Sequence, residues 1–513
     1  MTVQWADFGM TWFRGTRLGH KVASVLLALV LVVAMVPEAS AETTSAFDEF
    51  PDSMSLARVN VAIGADVVHA AGYTGAGIDV AVIDTGVNNV PGLASAGKIV
   101  DAIDLSFDAG DEALRYRDLY GHGTVMAGII AGDAASGSEL TEGVAPGARI
   151  VNVKVGAGDG TVDVTQVIAG IDWVIQHRND AGMNIRVISL AFGTDADVDW
   201  HSDPLVHAVE NAWRAGIVVV VAGGNDGKTE GHLGNPALDP YVIAVGAASY
   251  EWGANKPWTV PSWSSVGNQS RPIDVIAPGA LIIGPRVPGS YLDLGYPGAA
   301  KTSTTGETFF RGSGTSQAQA VVAGSVALML QANPALTPDE VKASLEDSAI
   351  RVPGPVTRTG EGAIDLPAAI GTPSFGATQN HGTSNGLGSI QAARGSLPGP
   401  VTGEAHAFDG AWDGATWTGA TWTGATWTNE TWNGATWTGG TWMGATWTGA
   451  TWTGATWTGA TWTSNGWTGA TWTGATWTGA TWTGATWTGA TWTGATWTGA
   501  TWTGATWSSL LWQ

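Results

Sequence analysis

The chain has no cysteine among its 513 residues, so disulfide scaffolds, thiolate metal sites and cysteine nucleophiles are all excluded. Basic residues are scarce: 22 Lys and Arg stand against 44 Asp and Glu, for a formal charge of −22. Nucleic acid and anionic membrane surfaces are therefore poor partners, and no nucleic-acid function is expected. Charged residues of both signs make up only 13% of the chain. Long apolar runs are missing too. The segment Val22–Val36 offers fifteen apolar or small residues, short of the roughly 20 that cross a bilayer. Arg14, Arg17 and Lys21 precede that run, and Pro37 then Ala39-Ser40-Ala41 follow it. This is the order of a secretory signal over 1–41 with cleavage after Ala41, and it predicts a secreted or cell-surface chain with no membrane anchor once the signal is removed.

Hydrophobic residues reach 44%, enough for a large core. After a short N-terminal segment, 42–54, the region 55–371 alternates continuous apolar runs with amphipathic stretches. The runs are Asp79–Ile83, Ile150–Val155, Ile185–Leu190, Ile217–Ala222 and Tyr241–Val245; the stretches include Val164–His177 and Pro204–Ala215. Strands without polar alternation are covered on both faces, so the expected fold class is α/β, a parallel sheet with helices on both faces.

Residues 372–410, rich in Gly, Ser, Asn and Pro, read as a linker. In 411–513 a Trp then recurs at every fifth position from Trp412 to Trp512, twenty-one in register, mostly as Ala-Thr-Trp-Thr-Gly. A period of five places these side chains on one face of neither a helix nor a strand. The pattern resembles the pentapeptide-repeat proteins, whose β-helix turns the central apolar residue inward, although that family usually carries Leu or Phe there. Three readings stand for this tail: a β-solenoid-like stack, a disordered or self-associating tract, or a carbohydrate-binding surface. So many exposed indoles would be insoluble, so the tail must stack, self-associate or bind a cell wall or another polymer.

Three segments of the α/β region carry chemistry. Val80–Gly86 is a buried strand ending in Asp84 and a Gly turn, at a strand end where α/β proteins place functional groups. Gly121-His122-Gly123-Thr124 opens a helical run, its glycines allowing close backbone approach. Gly312–Ala318 contains Ser316 at the start of an apolar helix, where free N–H groups and the helix dipole favour an attacking hydroxyl. Each segment alone has an ordinary structural explanation.

Together, and in the order Asp, His, Ser, they resemble the subtilisin-like serine peptidases over about Ser55 to Gly371. Gly143–Ala148, Val221–Gly227, Trp263–Gly267 and Ile276–Gly279 fall where that family has matching segments. The resemblance implies a secreted serine endopeptidase that acts on protein or peptide substrates through an acyl-enzyme. Ser316 would be the nucleophile, His122 the general base and Asp84 its orienting carboxylate, with Asn225 as the oxyanion donor. The substrate would add as a strand to Gly156–Val162, in which Gly158 and Gly160 lie. Ala191, Phe192 and Gly193 would form the opposite wall, and Ala222, Gly223 and Gly224 the floor of the primary pocket.

Departures from the family pattern are Val125 after the His-Gly-Thr, and Gln319-Ala320 where Ser-Pro usually follows the nucleophile. Without that proline the nucleophile's placement is expected to differ slightly. The alternative function is a surface adhesion or structural repeat protein on a catalytically weak peptidase scaffold. No metal ligand is assigned. Calcium remains open as a cofactor, because Asp101, Asp104, Asp108, Asp111 and Glu112 read either as solvated surface or as a cation site.

Overall fold

The computed structural model describes residues 49–395, except Pro51, Asp197, 228–232 and 253–256, together with short strands between Ala411 and Trp512. The signal read at 1–41 and the first residues of the 42–54 segment lie outside the described residues.

The main sheet contains β1 (Asp79–Asp84), β2 (Ile99–Asp104), β3 (Arg149–Lys154), β4 (Ile185–Leu190), β5 (Val218–Ala222), β6 (Ile243–Tyr250), β7 (Trp258–Thr259) and β8 (Val275–Pro278). Its order is β2-β3-β1-β4-β5-β6-β7, with β8 also paired to β6, and every pairing is parallel except β6 with β7. All six residues of β1 are buried, as the absence of polar alternation predicted. A second, antiparallel sheet has the order β10-β11-β9, from β9 (Ile282–Pro285), β10 (Ala300–Thr302) and β11 (Thr308–Gly312).

The helices are α1 (Leu56–Ile63), α2 (Ala65–Ala70), α3 (His122–Ala131), α4 (Val164–His177), α5 (Pro204–Arg214), α6 (Tyr291–Gly295), α7 (Thr315–Ala332) and α8 (Pro338–Asp347), followed by three short ones. Helices α3 and α7 pack on each other, α4 and α5 do likewise, and both pairs cover the sheet. Every residue of α7 from Thr315 to Leu330 is buried. That explains its lack of an amphipathic pattern and its run of Ala, Gly, Ser and Val. Small residues there allow close approach: a Cβ on Gly324 would lie 2.7 Å from Val144 Cβ.

Strand β1 sits between β3 and β4, so the chain winds away from it in both directions. The carboxyl end of such a central strand is where doubly wound sheets open a crevice. Asp84 is the last residue of β1.

The stretch read as a linker from 372 packs on the domain as far as 395. Ser384 N donates to Glu210 Oε1 at 2.7 Å, and the buried Arg394 donates to Asp163 Oδ2 at 2.6 Å. Ser384 and Arg394 are buried in these contacts, while more than half of the stretch stays exposed. In the tail, strands of three residues, ending with the two-residue Leu511–Trp512, form parallel ladders whose partners are twenty positions apart, as in Trp412 opposite Trp432 and Trp417 opposite Trp437. Among the described residues these strands form four ladders of six, five, five and five strands.

Candidate active site

Asp84 is buried and accepts the Thr85 N–H at 2.7 Å. Its two carboxylate oxygens each lie 2.9 Å from His122 Nδ1. An ionised carboxylate can only accept, so Nδ1 carries the proton and Nε2 is left as the basic nitrogen. Burial pulls the imidazole pKa down, but the charge and hydrogen bond of Asp84, with Asp118 behind it, hold it above the ordinary histidine value. Gly123 has to be glycine, because a Cβ there would run into Gly86 O and come within 3.1 Å of Asp84 Cβ.

Behind this pair lies a residue that reading the motifs missed. Asp118 is fully buried, and its carboxylate accepts from Thr85 Oγ1 (2.9 Å), Gly121 N (2.6 Å), Thr124 N (2.8 Å) and Thr124 Oγ1 (2.7 Å). It ties the turn after Asp84 to the start of α3. Burial pushes its carboxyl pKa up against those hydrogen bonds.

Ser316 is the second residue of α7 and is buried. Gly314 N donates to Gly279 O at 2.9 Å, anchoring the turn before Ser316 to the segment that ends β8. Thr315 donates from N (2.9 Å) and Oγ1 (3.1 Å) to Asn225 Oδ1, and its Oγ1 accepts from Gly224 N at 3.1 Å. The structure thus brings Asn225 against the residue before Ser316. Where the family's proline is absent, Gln319 anchors α7 instead: its Nε2 donates to Val220 O at 2.9 Å and its Oε1 accepts from Ser189 Oγ at 3.1 Å. Ser316 Oγ makes no hydrogen bond to His122 among the described residues; contacts of this kind commonly tighten only when substrate binds.

Ala191, Phe192 and Gly193 follow β4, and Ala222, Gly223 and Gly224 lie at the end of β5, so both sets lie along the same sheet edge as Asp84. Gly156–Val162 differs from a straight extended strand. Ala157 N donates to Thr161 O at 2.8 Å, closing a turn over Gly158-Asp159-Gly160 in which Gly160 has φ +89°. The left-handed φ at Gly160 and the short loop favour the closed turn.

Four members of the acidic cluster meet protein donors. Asp101 accepts from Asn152 at 2.9 Å, Asp104 from Tyr116 N at 2.8 Å and Asp111 from Ala113 N at 2.9 Å, and Asp108 pairs with Lys154 at 3.2 Å. Among the described residues no three His, Asp or Glu side chains converge as a metal set.

A doubly wound sheet with an Asp–His pair at its switch point and a Ser at a neighbouring helix start defines a class, and residues 75–388 match the family model described as Peptidase S8, subtilase family. The chain belongs to the subtilase family. It is 40% identical over 282 residues to serine protease AprX of Bacillus subtilis strain 168, a match covering 53% of this chain and 61% of that protein. To subtilisin NAT of Bacillus subtilis subsp. natto it is 34% identical over 310 residues, covering 60% of this chain and 69% of the other. Among solved structures it is similar to fervidolysin of Fervidobacterium pennivorans, a keratinolytic enzyme related to subtilisin, with TM-score 0.51 and 27% identity over 66% of this chain and 48% of that one.

Proposed function

We propose that this chain is an exported serine endopeptidase, and the observation that carries the reading is the Asp84 carboxylate gripping His122 Nδ1 through both oxygens at 2.9 Å. In this mechanism Ser316 Oγ attacks the scissile carbonyl while His122 Nε2 takes its proton. Asp84 stabilises the imidazolium, which then protonates the leaving amine. A water, deprotonated by the same histidine, releases the acyl group from Ser316.

The developing oxyanion is met by the Asn225 Nδ2–H and the backbone N–H of Ser316. The Asn225 amide is prepared for this because its oxygen is already engaged by Thr315. The Gly156–Val162 loop receives the acyl-side peptide, and the pocket between Ala191–Gly193 and Ala222–Gly224 takes the side chain preceding the cleaved bond. The leader at 1–41 exports the chain. The Trp tail holds the enzyme on a cell wall or polymer as a four-sided solenoid, a reading supported by parallel partners twenty residues, or four pentapeptides, apart.

The test is labelling with a fluorophosphonate beside Ser316→Ala, followed by peptide-amide hydrolysis. Labelling and hydrolysis lost together in the variant support the reading. A folded wild-type chain that is neither labelled nor active overturns it, and favours the spent-scaffold adhesion alternative.

A further inference from the structure

Lys154, the last residue of β3, is among the largest fully buried side chains of the described residues, and the triad chemistry does not use it. Its ammonium reaches three acceptors: Thr85 O at 3.1 Å, Gly156 O at 2.8 Å and Asp108 Oδ2 at 3.2 Å. The same Asp108 oxygen accepts the Gly158 N–H at 2.7 Å.

These contacts connect two parts of the site that are distant in sequence. Thr85 directly follows Asp84, while Gly156 and Gly158 form the stem of the loop read above as the substrate's edge. The loop's other side leaves little room to move: a Cβ on Gly158 would lie 3.0 Å from Leu119 Cβ, and one on Gly160 would lie 2.6 Å from the Tyr120 ring. Tyr120 in turn stacks on Tyr291 at 5.3 Å. The loop thus has Tyr120 on one flank and the Lys154–Asp108 pair at its stem. A charge buried this deeply is costly unless fully paired, so a position that carries one while two neutral carbonyls also need a donor is organised around that donor.

We propose that Lys154 and Asp108 are a positioning pair that holds the Asp84 turn and the substrate loop Gly156–Val162 at a fixed spacing, so that an extended peptide bound to the loop meets the nucleophile in register. The proposal rests on the peptidase reading above. A peptide that spans several subsites transmits a shift of the loop to its scissile carbonyl, whereas a substrate holding only the primary pocket does not feel the loop at all.

The experiment measures kcat/KM of the full-length chain and of Lys154→Met on two substrates with the same residue at the cleaved bond and the same ester leaving group: a single-residue ester and a tetrapeptide carrying that ester. The expected result is single-residue ester hydrolysis within about 3-fold of wild type. On the tetrapeptide the variant should lose roughly 10- to 100-fold, so the advantage of a longer substrate collapses. Equal losses on both substrates, or an unchanged advantage, would overturn the proposal, because a merely structural lysine moves both alike or neither. If Lys154→Met does not fold, Asp108→Ala decides by the same ratio, since it removes the Gly158 N–H contact that ties the loop to the pair while Lys154 keeps its carbonyl contacts. A wild-type chain that hydrolyses the single-residue ester but gains nothing from the longer substrate would instead overturn the loop's assignment. One that hydrolyses neither overturns the peptidase reading.

Discussion

Thr315 grips the carboxamide oxygen of Asn225 with its backbone N–H at 2.9 Å and its hydroxyl at 3.1 Å. Because a backbone N–H can only donate, the atom it meets must be the oxygen, and the amide nitrogen is the end turned away from Thr315. Asn225 is exposed while Thr315 is buried, so a threonine from the core aims a side chain at the surface.

Asn225→Leu is therefore expected to lower kcat by roughly 100- to 1000-fold with little change in KM, the loss that removing one such donor causes in subtilisin. Thr315→Val should have a smaller effect in the same direction, since the backbone N–H still holds the amide. Steady-state kinetics on one peptide amide check both. A rise in KM at constant kcat would mean that Asn225 binds ground-state substrate instead.

The pH profile of kcat/KM should rise to a midpoint above the ordinary histidine value of about 6.5, because Asp84 and Asp118 favour protonated His122 and the base works only when neutral. Asp118→Asn removes one of these charges, so the midpoint should move down. A profile unmoved by that substitution would mean that Asp118 acts on His122 through backbone geometry alone. The same raised pKa implies that His122 adds stability at pH below its unfolded value, lost as pH rises through its folded one.

Asp239 gives a stability prediction with the opposite origin. Burial pushes its carboxyl up to about 7, and Oδ2 has no partner while Oδ1 accepts from Tyr241 N at 3.0 Å. The unfolded chain gives up this proton near pH 4, so the folded state loses stability as pH rises from there towards 7. Asp239→Asn mimics the protonated acid and should melt near wild type at pH 4.5 but above it at pH 8, by a few kcal/mol at most. Thermal melts at the two pH values measure the gap; a gap that does not grow with pH would show that the carboxyl stays ionised.

Removing the tail after residue 400 should leave peptide hydrolysis unchanged and abolish retention on cell walls or insoluble polymer. Pull-down with and without the tail, beside a soluble-peptide assay, separates attachment from catalysis. A fall in soluble-peptide activity would place the repeats in the enzyme's own fold.

Local pattern was enough to read the strands at 79, 185 and 217 to within a residue or so, and α4 and α5 almost end to end, because continuous apolar runs and amphipathic periods are properties of neighbouring residues. The Asp, His and Ser motifs were legible for the same reason: each is a short glycine-bounded turn attached to one element. Asp118, Thr315 and Lys154 carry no such signal. An Asp four residues before a His, a Thr before a Ser and a Lys closing an apolar strand each have plain surface readings, and only burial against partners from other elements changes their meaning. The packing of residues 372–395 was hidden for a related cause, since Ser384 and Arg394 find buried partners on α5 and at the start of α4 that composition cannot reveal. The amino-acid order by itself thus determined the alternation of strands and helices, the fivefold Trp register and the three chemical motifs. Tertiary structure alone decided which donors the buried carboxylates meet, that Thr315 holds the Asn225 amide oxygen, and that buried Lys154 reaches both Thr85 O and Gly156 O. Those depend on hydrogen bonds between residues tens of positions apart, and such bonds leave no trace in a local pattern.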